Sequence, residues 1–405
     1  MTKNIPFRKR IFCTVLSILL VLTCVCIFPA SAEAEIWDGS TAAAYAGGTG
    51  TADDPYQIEN GAQLKKFSDE VNSGATAVCA VLTKDIVLNE GTLTADTQNA
   101  NIWVPIGNYS QKYSGTFDGQ GHTVRGLFKP EMDHAVPEMD HAVLYIGLFG
   151  YIDETGVVKN VGITNSYLNG MAVGTFAGHN LGTIENCYAA NSTVTAIGFC
   201  GGIIGGNGEN GTVKNCYSTA AVLVDTETGY DTSNFGGICG HNANTSEAAF
   251  ENCYYDETQC EGAFVAGTAV DSNAFASGAV AYWLQQAQAN PAQQVWGQKS
   301  TVAGASPILT AEEIYKVRPV LNAAGETVSY TVHFFGDVNN DGVVTADDYP
   351  LVSENMWTKP SDKTAVLSGD INRDGVVDAF DAANLNLLLT GAYALQIDEN
   401  GALQA

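Results

Sequence analysis

The chain has 405 residues, with 43 glycines, 15% charged side chains and a formal net charge of −26. That acidic field repels phosphate backbones and excludes nucleic acid as a partner class, while it suits calcium and solubility. High glycine with low charge disfavours long helices and favours short strands and turns, over a length that allows two or three domains.

Residues 1–32 read as a secretory signal. Lys3, Arg8, Lys9 and Arg10 precede the apolar stretch Ile11–Phe28, and Ala30-Ser31-Ala32 supplies a small-x-small cleavage pattern. The stretch is nearly long enough to span a membrane, so an uncleaved anchor is the alternative. Cleavage leaves 14 basic against 44 acidic residues, a net charge of −30, and places the protein outside the cell with no membrane contact. Seven cysteines then remain: Cys79, Cys187, Cys200, Cys216, Cys239, Cys253 and Cys260. Their odd number and the lack of a CxxC pair support neither a small disulfide scaffold nor a zinc site.

Gly47–Ile58 reads as a turn and a short strand. Gln63–Val71 follows with Leu64, Phe67 and Val71 on one face, which fits a helix laid over the end of a larger β-structure. Val81–Leu88, Trp103–Gly107 and Gly115–His122 continue the short apolar segments. Pro130–Val136 is then repeated at once as Pro137–Val143. Its Asp133-His134 and Asp140-His141 pairs could ligate a metal, but an identical tandem copy is more simply a duplication in a tolerant loop.

The centre of the chain repeats. Asn160, Asn186, Asn215 and Asn252 close the blocks Val158-Lys159-Asn160, Ile184-Glu185-Asn186, Val213-Lys214-Asn215 and Phe250-Glu251-Asn252. Gly147–Gly150, Thr175–Gly178, Gly202–Gly205 and Gly237–Gly240 precede them in turn. Spacings of this size mark a solenoid, whose coils bury their inner faces only by stacking. Asn tolerates left-handed backbone angles, so each repeated Asn marks a bend, and stacked side chains can form a hydrogen-bonded ladder. Cys187, Cys216 and Cys253 fill the place of Val161, which implies small buried thiols rather than a metal cluster. Lys159, Glu185, Lys214 and Glu251 alternate in sign and should pair on the outer face. Tyr188, Tyr217 and Tyr254 follow the inward position. They should therefore point outward as an aromatic strip, either a glycan contact or plain ladder packing.

These blocks resemble the GLUG-motif proteins: "GGTGTADDPYQIENGAQL", "WVPIG", "GTFDGQGHTVRGL", "IGLFG" and the repeated "NCY" carry the similarity over about residues 37–258. The resemblance implies a right-handed parallel β-helix on a surface or secreted protein and no settled reaction. Residues 262–335 are less repetitive. Ala279–Ala289 reads as a helix, and Ile314–Pro319 and Val328–Phe334 as strands; such segments close related β-helices, so a C-terminal cap is expected.

Two calcium loops follow. Asp337-Val338-Asn339-Asn340-Asp341-Gly342 with Asp348, and Asp370-Ile371-Asn372-Arg373-Asp374-Gly375 with Asp381, match the EF-hand loop with Asp at the last position. The pattern assigns Asp337, Asn339, Asp341, Asp348 and the Val343 carbonyl to one calcium ion. Asp370, Asn372, Asp374, Asp381 and the Val376 carbonyl take the second, and Thr345 and Asp378 act at position 9, directly or through water.

Only the segments after each loop, Tyr349–Met356 and Ala382–Leu389, look helical. That resembles a type I dockerin over about 336–392, a small all-α module on a mainly β chain. The resemblance implies a cohesin module of a scaffoldin as partner, contacted at loop positions 10 and 11 and along the exit helix. Ala379, Phe380, Leu385, Leu387 and Leu388 fit that role in the second half. The first half has Ala346 and Asp347, a departure that assigns the main contact to the second, with docking through either half as the alternative.

The boundaries are 1–32 signal, 33–261 β-helix with N-terminal cap, 262–335 C-terminal cap or linker, 336–392 dockerin and 393–405 tail. The β-helix stands as a plant-polysaccharide-binding accessory, a glycoside hydrolase or lyase, or an adhesin-like display. Asp118-Gly119-Gln120-Gly121-His122 is the one catalytic-looking string, and Asp118 there is more simply a turn residue.

Overall fold

The computed structural model describes residues 35–130, 145–224, 232–299 without 265, 304–332 without 313, 314 and 323, and 338, 346–358, 369–371, 377–389, 396–397 and 403–404. The expected signal at 1–32 and the duplicated heptapeptide at 131–143 lie outside the described residues, and most of the tail lies outside them too.

Parallel strands build three sheets. The first contains Thr116–Asp118, Val157–Thr164, Thr183–Ala190, Tyr217–Ser218, Tyr254–Asp256 and Thr268–Val270. The second pairs Phe128–Lys129, Tyr167–Gly174, Thr193–Gly201 and Ala221–Val224. The third pairs Phe149–Ile152, Ala177–Asn180, Ile204–Asn207 and Cys239–Asn242. The chain visits the three in rotation, coil after coil, which is a parallel β-helix. Helix Gly61–Asn72, capped by the Asn60 side chain, buries Leu64, Phe67 and Val71 as their spacing predicts. Phe67 meets Tyr113 and Phe117 at ring distances of 5.9 Å.

The interior is a set of stacked rows. Val161 pairs in register with Cys187, and the Cys187 N–H donates to Cys216 Sγ at 3.4 Å. Cys187, Cys216 and Cys253 are buried free thiols, and burial pushes the Cys216 and Cys253 thiols well up. At the bends, Asn160, Asn186, Asn215 and Asn252 have φ of 53°, 50°, 51° and 50°. Asn186 donates to Asn160 Oδ1 at 3.3 Å and Asn252 to Asn215 Oδ1 at 3.0 Å. The outer charges register as Asp118–Lys159–Glu185–Lys214–Glu251, with ion pairs Lys159–Asp118 at 3.5 Å and Lys214–Glu251 at 3.3 Å. Asp118 Oδ1 also accepts from the Gln120 N–H at 2.9 Å and from Asn160 Nδ2 at 3.0 Å, so it begins the ladder and holds its own turn.

A second asparagine ladder runs along the third sheet. Asn180 Nδ2 donates to Asn207 Oδ1, and Asn207 Nδ2 to Asn242 Oδ1, both at 3.0 Å. Asn207 also donates to the Gly211 carbonyl at 2.8 Å and is fully buried. Asn207→Ala removes the side-chain hydrogen bonds to Asn180, Gly211 and Asn242 from a buried site, each worth about 0.5–1.5 kcal/mol. The variant is expected to lose about 3 kcal/mol in denaturant titration, against less than about 0.5 kcal/mol for an exposed substitution.

Candidate functional site

The tyrosine strip forms, but it is covered. Tyr188, Tyr217 and Tyr254 register across adjacent strands and point away from the β-helix interior. The Tyr188 and Tyr217 rings stack at 5.2 Å and 6°. Tyr188 lies over Gly162, where an added Cβ would come within 2.3 Å of its ring.

The described residues of 271–312 fold back along this face. Helices Ser272–Ala276 and Ala279–Gln286 and the antiparallel pair Trp296–Gln298 and Pro307–Leu309 bring Phe275, Val280, Leu284, Trp296 and Leu309 onto the tyrosines. The Tyr217 hydroxyl donates to the Pro307 carbonyl at 2.6 Å, Gln288 donates to Asn186 Oδ1 at 2.9 Å, and Tyr254 packs half-buried against Trp283. Tyr188 and Tyr217 are buried, and that burial pushes both phenols up.

Tyr188 and Tyr217, where a glycan contact was expected, therefore turn their outward faces to this flap instead of water, while Tyr254 stays half-buried. Tyr217→Ala is expected to cost about 3–5 kcal/mol of flap stability. Limited proteolysis should then cut within 271–312 while the β-helix core stays resistant.

In the calcium region, Asp348, Asp370, Asp378 and Asp381 are described. Asp337, Asn339, Asp341, Val343, Thr345, Asn372, Asp374 and Val376 lie outside the described residues. Among the described residues no three His, Cys, Asp or Glu side chains converge as a metal cluster. The two loops nevertheless share one device. The Val338 N–H donates to Asp348 Oδ1 at 2.8 Å, and the Ile371 N–H donates to Asp381 Oδ1 at 2.7 Å. Both pairs join loop positions 2 and 12.

The second loop adds a reciprocal cap on helix Ala379–Leu389. Asp378 Oδ1 accepts from the Phe380 N–H, and Asp381 Oδ2 accepts from the Asp378 N–H, both at 2.7 Å. Asp348, Asp370 and Asp381 are withdrawn from water. Carboxylates at loop positions 1 and 12, Asp370, Asp348 and Asp381, are the oxygen donors that a hard cation takes. The residues present fit calcium.

Helices Tyr349–Thr358 and Ala379–Leu389 share a small core. Val338 and Ile371, Val352 and Leu385, and Met356 and Leu389 are equivalent positions of the two halves, and all six lie in that cluster with Val377 and Ala382. Leu385 is fully buried there, which corrects its assignment as a partner contact: it is the internal mate of Val352. Ala379, Phe380 and Leu387 are exposed, Phe380 by 71% and Leu387 by 40%, and the Leu388 side chain lies outside the described residues. At the matching places the first half exposes Ala346, Asp347 and Glu354. The halves thus share a core and differ on the surface.

Comparison with known proteins agrees with both regions. Residues 335–389 match the family model of the dockerin type I domain, and residues 169–195 match the GLUG motif. A protein of Evansella cellulosilytica named "Putative Gly-rich membrane protein" is 33% identical over 146 residues, 35% of this chain and 15% of that protein. Halomucin of Haloquadratum walsbyi is 32% identical over 172 residues, 42% of this chain and 2% of its own length. The chain thus spans a small part of these relatives. A crystal structure of a "putative immunoglobulin A1 protease" from Bacteroides ovatus superposes with a TM-score of 0.36 at 19% identity, covering 66% of this chain and 96% of that one. So loose a likeness bears on neither fold nor activity.

Proposed function

We propose that this is a secreted, calcium-dependent cellulosome component. Its C-terminal module docks onto a scaffoldin cohesin and so delivers the β-helix to plant polysaccharide. The observation that carries the reading is the pair of equivalent loop anchors, Val338–Asp348 and Ile371–Asp381, beneath a surface that presents Phe380 and Leu387 on one half. The dockerin type I match over the same residues supports it. One calcium ion in each loop would supply the positive charge that gathers the buried carboxylates. The chain's own residues then set the helices: Asp348 and Asp381 tie loop starts to loop ends, and Asp378 starts the second helix. Residues 1–32 would be the export signal. Among the described residues no helix is long and apolar enough to cross a membrane.

The test is size-exclusion chromatography of the full chain mixed with a type I cohesin in calcium. A shifted peak containing both proteins, lost on chelation, is the expected result; separate peaks in calcium would refute docking.

A second reading makes the β-helix a glycoside hydrolase or lyase acting on O-glycosyl bonds. Reducing ends or unsaturated sugars released from a plant polysaccharide would favour it. Asp118 is tied into a turn and a ladder, so catalytic acids for that chemistry would have to be found elsewhere.

A further inference from the structure

With the tyrosine strip covered, another set of rings lies on a different side of the β-helix, where Tyr109 and His241 are exposed, Tyr145, His179 and Phe199 half-buried and Tyr151 buried. Along the third sheet, one outward row registers as Tyr151, His179, Gly206 and His241. The Tyr151 and His179 rings are 4.6 Å apart, and Tyr145 sits 5.3 Å from Tyr151 and 5.8 Å from His179. Tyr109, 48% exposed, extends the row at 6.0 Å from Tyr151. At the other end, Phe199 stacks on His241 at 4.8 Å and 29°. Gly206 keeps the row continuous: a Cβ there would lie 2.9 Å from His179 Nδ1, so the missing side chain leaves room for the imidazole. The flap cluster contains none of these residues.

We infer that the face carrying Tyr109, Tyr145, Tyr151, His179, Phe199 and His241 is a binding platform for a linear neutral polysaccharide. Three observations select that ligand. The accessible tyrosine and histidine rings combine apolar faces with polar atoms and Phe199 adds an apolar face, the chemistry that grips a sugar's C–H face and its hydroxyls together. They recur from coil to coil, so from Tyr151 to His241 the row runs about 14 Å at the ordinary strand spacing, which suits an extended polymer rather than a single small molecule. Finally, the cation of the face, Lys112, already lies over Tyr151 at 4.9 Å and Tyr109 at 6.0 Å, on a chain of net charge −26. That field opposes a polyuronate. Burial holds the His179 imidazole down to about 4, so at neutral pH the ring is uncharged and behaves as one more aromatic surface.

This inference rests on the polysaccharide-directed part of the proposed function, and its test separates the two. The calcium-loaded full chain is run in native gels cast with xyloglucan, glucomannan, arabinoxylan or, as the acidic comparison, polygalacturonate. Retardation by at least one neutral polymer is expected. Tyr109→Ala and Phe199→Ala should each weaken it about five-fold or more, with melting temperature unchanged. His241→Ala, at an exposed position, provides a second variant should Phe199→Ala fold poorly. No retardation in any neutral gel, retardation by polygalacturonate alone, or variants that bind like the parent would each overturn the inference. Cohesin complex formation by the same variants, scored in parallel, shows whether docking stands independently.

Discussion

Chelation of calcium is expected to unfold residues 336–392 and abolish cohesin binding while leaving the β-helix intact. The module's shared core is small: Val338, Val352, Met356, Ile371, Val377, Ala382, Leu385 and Leu389. So few apolar side chains give little stability at this size without a staple. Around them, Asp348, Asp370 and Asp381 are buried at the loop positions that a cation would draw together. Ion binding and folding are then one equilibrium. At a calcium concentration 100-fold above its dissociation constant, each site contributes about 2.7 kcal/mol, more than such a core can spare. Far-ultraviolet circular dichroism should show the helix signal lost in chelator and restored by calcium. Asp381→Ala should mimic chelation, since it removes both the proposed calcium ligand and the acceptor for the Ile371 and Asp378 amides. Helices 349–358 and 379–389 that stayed protected from hydrogen exchange in chelator would contradict this.

The second large effect concerns partner affinity rather than folding. Phe380 is 71% exposed at the start of the second helix, so Phe380→Asp should change stability by no more than about 0.5 kcal/mol. An exposed aromatic at the centre of a docking face is the kind of side chain that dominates binding, and its replacement by a charge should cost about 2 kcal/mol or more. That corresponds to a roughly 30-fold weaker complex. Asp347→Ala, at the matching place in the first half, should change affinity less than about three-fold if that half faces solvent. Equal losses from both changes would mean that either half docks. No loss from Phe380→Asp would remove the assigned contact.

Much of the β-helix was legible because its logic is periodic. The repeated Asn positions announced left-handed bends, and the Cys positions took the place of an inward valine; both are local rules applied coil after coil. The second ladder, Asn180–Asn207–Asn242, was present in the same aligned repeats, two residues after the Gly that closes each block. Ile152 stands at that place in the preceding coil, so the row does not begin as an asparagine repeat. The fate of Tyr188 and Tyr217 was not legible. Alternation tells which way a side chain points but not what arrives to cover it, and the covering segment has no repeat of its own. Leu385 failed for a related reason. The run Leu387-Leu388-Leu389 makes the helix apolar nearly all round, so spacing alone does not separate its inner from its outer face. Only the match of Leu385 with Val352 does. The aromatic row on the third sheet draws on Tyr109, Tyr151, His179 and Phe199, which are far apart in sequence and meet only once the coils stack.

The most direct test is hydrogen–deuterium exchange on the full chain in calcium, with and without a saturating type I cohesin. Docking through the second half predicts slowed exchange over residues 378–389, little change over 346–356, and none along the β-helix strands between 116 and 270. Protection centred on 346–356, or on the β-helix instead of the C-terminal module, would contradict it.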